Sequence, residues 1–95
     1  MSTPLALPSE LTIYTVGDLR PSWLAWMNAA GGEPWRVDGA AVAEVDAAGV
    51  QMLVALAHSA AAEHQAFALE NPSPALATAC RTLGLQDLLT AGAAA

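Results

Sequence analysis

The chain has no lysine, and its only fixed cations are Arg20, Arg36 and Arg81, set against nine carboxylate residues for a net charge of −6. Nucleic-acid binding needs clustered cations that displace counterions from phosphates, so three scattered arginines argue against a DNA or RNA partner. The single Cys80 excludes an intramolecular disulfide and a cysteine metal cluster. No apolar run approaches the roughly 20 residues of a membrane span, because the hydrophobic fraction of 55% is raised by dispersed alanine. No basic stretch precedes an apolar core at the N-terminus, so no secretory signal is expected and the expected location is cytoplasmic. No glycine-rich loop carries a lysine to cradle phosphates. His58 and His64, six apart on a helix, face different ways, and no metal site or cofactor is expected.

What is present reads as one α/β domain of 95 residues, with residues 1–4 and 91–95 frayed. Leu5 and Leu7, then Leu11 and Ile13, alternate with smaller or polar residues around Pro8-Ser9-Glu10, a pattern that suggests two short strands in a hairpin. Asp18 caps a first helix, with Pro21 in its first turn, Leu19, Trp23, Trp26 and Ala30 at helical spacing, and Gly31-Gly32 as its end. Trp23 and Trp26 are expected to cover the sheet, and Trp35 to be partly exposed. Trp35 to Asp38 reads as a strand and Gly39 to Ala41 as a turn. Ala66 to Glu70 reads as a strand inside the sheet, covered on both faces. Ser73 caps a helix that starts at Pro74, buries Leu76, Ala79, Cys80 and Leu83, and stops at Gly84. Leu85, Leu88 and Leu89 form a last apolar segment that packs back.

The chain is organised around Val42 to Ala57. A strand end gives way at Asp46 to a helix whose Val50, Leu53, Val54 and Ala57 take one buried stripe, while Gln51, His58, Ser59, Ala62 and Glu63 fall away from it. Asp46 suits the N-cap, since its carboxylate accepts orphan N–H groups at the positive end of the helix dipole. Gly49, in the first turn, weakens the helix but lets a neighbouring backbone or a partner protein come close. The helix ends near Glu63 without a glycine, which drives His64 into the left-handed region.

Asp46-Ala47-Ala48-Gly49-Val50, followed by Gln51-Met52-Leu53, resembles the Asp-Ser/Thr-Ser/Ala-Gly-Leu signature of STAS domains, the family of anti-sigma-factor antagonists and related signalling modules. The resemblance extends to Leu7 through Thr15 and to Leu83-Gly84-Leu85, nearly the whole chain. It implies a mixed sheet of four to five strands with three to four helices packed on it. In the family the residue after the Asp is the serine or threonine that a kinase phosphorylates; here it is Ala47, so no phosphorylation is expected at that position. Thr15, Ser73 and Thr78 are hydroxyls elsewhere. Asp38 matches an acidic residue at the mouth of the family's site, or else caps its own turn.

The resulting expectation is a non-enzymatic module that binds a protein partner through the start of the central helix. Asp46, Ala47, Ala48, Gly49, Gln51, Met52 and Asp38 are the candidate contacts. The partner would be a kinase, an anti-sigma factor or a chemotaxis component. The alternative is the STAS subunit of a lipid-transporting ABC complex, whose partner is the ATPase and whose threonine after the Asp is again absent here. A third reading is a degenerate domain with no partner. Cys80 inside an alanine-rich stripe reads as an inert core residue rather than a nucleophile. Trp35 and the N-terminal strand leave a homodimer open.

Overall fold

In the computed structural model, residues 4–30 and 33–90 are described, and they hold five short strands and four helices. The order is β1 (Leu5–Ala6), β2 (Glu10–Leu11), α1 (Val16–Ala30), β3 (Trp35–Asp38), β4 (Glu44–Val45), α2 (Ala47–Ala62), β5 (Phe67–Glu70), α3 (Pro74–Thr82) and α4 (Gln86–Thr90). The domain is α/β with four helices, within the expected three to four, but among the described residues the strands are not joined in the single mixed sheet of four to five that was expected. The described strands make a three-stranded sheet, β1-β3-β5, and a two-stranded one, β2-β4, and every pairing is parallel.

The expected hairpin is replaced by two extended runs lying side by side. Residues 5–11 run parallel to residues 35–45, with β1 on β3 and β2 on β4. Pro8 interrupts the first run, since it has no N–H to give to a ladder. Gly39 to Val42 interrupts the second, and the interruption has a measurable size. Partner numbers differ by 32 in the first ladder, where Leu5 meets Val37, and by 34 in the second, where Glu10 meets Glu44. Two extra residues are therefore absorbed beside Gly39, whose N–H bonds the Glu70 carbonyl at 2.9 Å. Local alternation could not distinguish a hairpin from this arrangement, because both partners of the N-terminal run lie some thirty residues away.

The central strand of the larger sheet is β3, and β5 is at its edge, paired with β3 alone among the described strands. The sequence placed β5 inside because its residues are mostly apolar; that composition instead serves one face. Trp35 and Val37, 1% and 0% exposed, share a face with Phe67 and Leu69. Ala6, Arg36, Asp38, Ala68 and Glu70 lie on the other, all half-buried or exposed. There Arg36 grips Glu70 with two bonds, Nε to Oε2 at 2.9 Å and Nη2 to Oε1 at 3.2 Å, and the carboxylate's hydrogen bond and charge raise the guanidinium pKa above its ordinary value.

Trp35 is thus core rather than partly exposed, which also removes it from any homodimer surface. Its ring meets Trp26 of α1 edge to face, with centroids 6.1 Å apart, and Trp23 is buried as the helical spacing predicts. Helix α1 starts two residues before Asp18, at Val16, so Pro21 sits inside it and not in its first turn. Thr12 is what moves the start: its carbonyl accepts the Thr15 and Val16 N–H groups and begins the helical turns early. The carbonyl that Pro21 cannot serve is that of Gly17, an exposed residue with water at hand. The expected stop at Gly31-Gly32 lies outside the described residues, as do the expected frayed residues 91–95.

Along α2 the fully buried residues are Gly49, Val50, Leu53, Leu56 and Ala60, while Val54 and Ala57 pack at the margin of the core. The stripe is rotated toward Gly49 relative to the one read from the spacing. His64 closes the helix with φ 58, as predicted; Gln65 N–H reaches Ala60 O at 2.8 Å and His64 N–H reaches Ala61 O at 3.1 Å, the Schellman pattern. Gly84, φ +73, ends α3 in the same way. Ser73 caps α3 and Pro74 opens it as expected. Leu76 and Cys80 are buried and Ala79 packs against them, but Leu83, predicted to be buried, is 42% exposed at the cap. Burial pushes the Cys80 thiol up, against a smaller opposing effect of Arg81, which keeps it protonated and unreactive. Leu88 and its neighbours Leu85 and Leu89 pack back as predicted.

Candidate functional site

Asp46 ends β4 and starts α2, and each of its carboxylate oxygens has its own task. Oδ1 accepts the Gly49 N–H at 3.1 Å, the N-cap bond expected of an aspartate with extended backbone in front of a helix. Oδ2 accepts the Ile13 N–H at 3.0 Å, from the loop between β2 and α1. One side chain therefore fixes both the helix start and a loop 33 residues earlier. The Ile13 N–H first, with those of Gly49 and Ala48 adding to it against a counter-effect of burial, holds the Asp46 carboxyl below its ordinary value. The site is built around an ionised aspartate.

Gly49 explains why these elements can meet. A Cβ at this position would collide with the Leu11 carbonyl oxygen and lie 2.8 Å from the Leu11 carbonyl carbon. The close approach that the sequence allowed to either a neighbouring backbone or a partner is therefore made by β2, and Gly49 is buried beneath it. Asp46 N–H also donates to the Leu11 oxygen, at 3.3 Å. The glycine's stability cost in the first turn is offset by letting strand and helix pack backbone to backbone.

The loop that Asp46 holds is tied internally by two threonines. Thr12 N–H donates to Thr15 Oγ1 at 3.0 Å, Thr12 Oγ1 donates to Glu10 Oε2 at 2.7 Å, and Thr15 Oγ1 reaches the Glu10 carbonyl at 3.0 Å. These bonds leave the two residues between the threonines outside: Ile13 is 61% exposed and Tyr14 86%. Neither is among the contacts that the sequence suggests, where Ile13 reads as part of a short strand. The pair of threonines three apart after a strand was the available signal for a side-chain-locked turn.

The other expected site residues divide into separate places. Ala47 is exposed and lines, with Asp46, a shallow groove of ≈ 590 Å³ between β4 and α3, whose far rim includes Thr78, Thr82 and Leu83. Ala48 is half-buried and Gln51 exposed. Met52 lies over a different groove, ≈ 290 Å³, between α1 and α2, beside Arg20, Trp23 and Leu24. Asp38 lines neither groove; its Oδ1 accepts the Ala40 N–H at 3.0 Å, so it closes its own turn. No group of three or more metal-ligating side chains occurs among the described residues, and no helix there is long and apolar enough to cross a membrane.

A family model described as "Mlab, STAS domain" matches residues 2–90. The chain belongs to the STAS domain family. STAS domains are typically non-enzymatic binding modules that act through protein partners, and in this STAS domain the Asp46 turn stands at the head of the central helix. No curated protein and no solved structure matches the chain.

Proposed function

We propose that this STAS domain is a regulatory protein-binding module that engages its partner through the start of α2, in the manner of anti-sigma-factor antagonists and of STAS proteins associated with chemotaxis or histidine-kinase signalling. The observation that carries the reading is the double use of Asp46. By bonding both Gly49 and Ile13 it makes the exposed loop residues Ile13 and Tyr14 and the exposed Ala47 parts of one rigid surface. A preorganised apolar and aromatic patch loses little entropy on binding, which is what a recognition surface needs. Ala48 and Gln51 extend the contact along the helix, and Asp46 and Gly49 act by positioning it. Met52 and Asp38 stand apart from this surface and serve the fold.

Ala47 has no hydroxyl, so phosphorylation at this position cannot add charge beside Asp46 and eject the partner. The surface is permanently in its binding form. The test is an affinity capture from native lysate by wild type beside Ala47→Asp and Tyr14→Ser, with mass spectrometry of the retained proteins. A kinase, anti-sigma factor or chemotaxis protein held by wild type and lost by both folded variants is the expected result. A transporter ATPase would move the protein to the transport class. Retention of the same partners by both variants would refute the surface, and capture of nothing would point to a degenerate domain.

A further inference from the structure

We infer that the groove between β4 and α3 receives a cationic segment of a protein partner, with arginine or lysine side chains over Glu44 and Asp46 and apolar side chains on Ile13, Tyr14 and Leu83. The inference rests on the reading of the α2 start as the partner surface and specifies the partner's chemistry. The groove's floor and walls are small: Ala47, Ala75 and Ala79 admit a side chain or a backbone closely. Leu83, 42% exposed, stands on one rim, and at the other the Ile13 N–H meets Asp46, so the exposed Ile13-Tyr14 loop adjoins the groove without lining it. Helical spacing would bury Leu83 and strand alternation would put Ile13 on the side of Leu11, yet both are exposed.

Charge complementarity selects the occupant. Glu10 and Glu44 are direct partners in the β2-β4 ladder, on one face of neighbouring strands about 4.8 Å apart. Like charges directly opposite in a ladder oppose folding. Thr12, whose hydroxyl donates to the Glu10 carboxylate at 2.7 Å, lines the groove beside Glu44, and no arginine lines it. Glu44 and Asp46 are the two carboxylates that line the groove, and no group of three metal-ligating side chains occurs among the described residues. Two carboxylates flanked by apolar side chains match a polypeptide that alternates cationic and apolar residues, where a free ion would leave the apolar rim unused.

The test uses the whole ¹⁵N-labelled chain and two peptides of identical leucine spacing, one carrying arginine and the other glutamate at the charged positions. The arginine peptide is expected to shift the amides of Tyr14, Glu44, Ala47 and Thr82. Its affinity should fall about threefold with Glu44→Gln, the scale of an exposed ion pair, and fall again with added salt, while Glu63→Gln leaves it unchanged. Equal binding of the glutamate peptide, abolished like the other by Ala47→Trp, would overturn the cationic partner and leave the surface standing. Shifts that miss these amides would overturn the inference. Survival of the arginine-peptide shifts in Ala47→Trp would sink the surface reading with it.

Discussion

The starts of α2 and α3 carry the same capping bond, Asp46 to Gly49 N–H and Ser73 to Leu76 N–H, both at 3.1 Å. Their surroundings differ. Ser73 is 8% exposed, its own N–H bonds the Gly39 carbonyl at 3.1 Å, and its cap is a closed part of the core. Asp46 is half-buried, carries a charge, and spends its second oxygen on a loop far away in sequence. A neutral hydroxyl is sufficient where the helix start is covered. A carboxylate is needed where one side chain must satisfy two separate backbone donors at the surface, and only that second arrangement leaves recognisable groups facing outward.

The comparison can be broken hardest at Gly49. Gly49→Val would drive its Cβ into the Leu11 carbonyl, and unfolding in urea should show a loss of about 3 kcal/mol, a large share of the ~5–15 kcal/mol that holds a small domain. Ser73→Ala leaves a buried N–H of α3 without its acceptor and should cost about 1 to 2 kcal/mol in the same assay. Asp46 differs in kind, because its effect depends on pH. Its carboxyl is lowered in the folded state, so its contribution is complete above the ordinary carboxylate value and is lost as pH falls through the lowered one. The Ile13 amide resonance should titrate in that acid range, and Asp46→Asn should flatten this part of the acid-side loss of stability, whereas Ser73→Ala should leave its pH profile unchanged. Smallest is Ala47→Ser, at an exposed first-turn position, for which thermal melting should move by no more than about 0.5 kcal/mol.

Features that depend on a few adjacent residues were legible in the sequence. The Asp46 and Ser73 caps, Pro74 as a first helical residue, the left-handed His64 and the Gly84 stop follow from backbone chemistry confined to one turn. What failed was decided by distant partners. Leu5 to Ile13 looked like a hairpin because alternation says nothing about which strand lies alongside, and β5 looked internal because apolar composition does not count covered faces. Trp35 sits just after a proline and yet is core, since β1 and β5 flank its strand and Trp26 covers it. At the site, Asp46 was legible as a cap, but its bond to Ile13 was not, and with it went the exposed pair Ile13 and Tyr14. The sequence also could not choose between backbone and partner as the close neighbour of Gly49.

The step from 32 to 34 between the two ladders has an evolutionary corollary. Side chains in a strand alternate sides, so parity decides which of them meet the core. An excess of two residues beside Gly39 is even: Trp35, Val37 and Val45 keep their inward orientation and Glu44 stays outward across the interruption. The Ala40-Ala41 turn can therefore shorten or lengthen in pairs with little penalty, whereas a single-residue change, if carried into β4, would turn Glu44 toward the core and shift Asp46 off its helix. Length variation in this turn is quantised by the sheet.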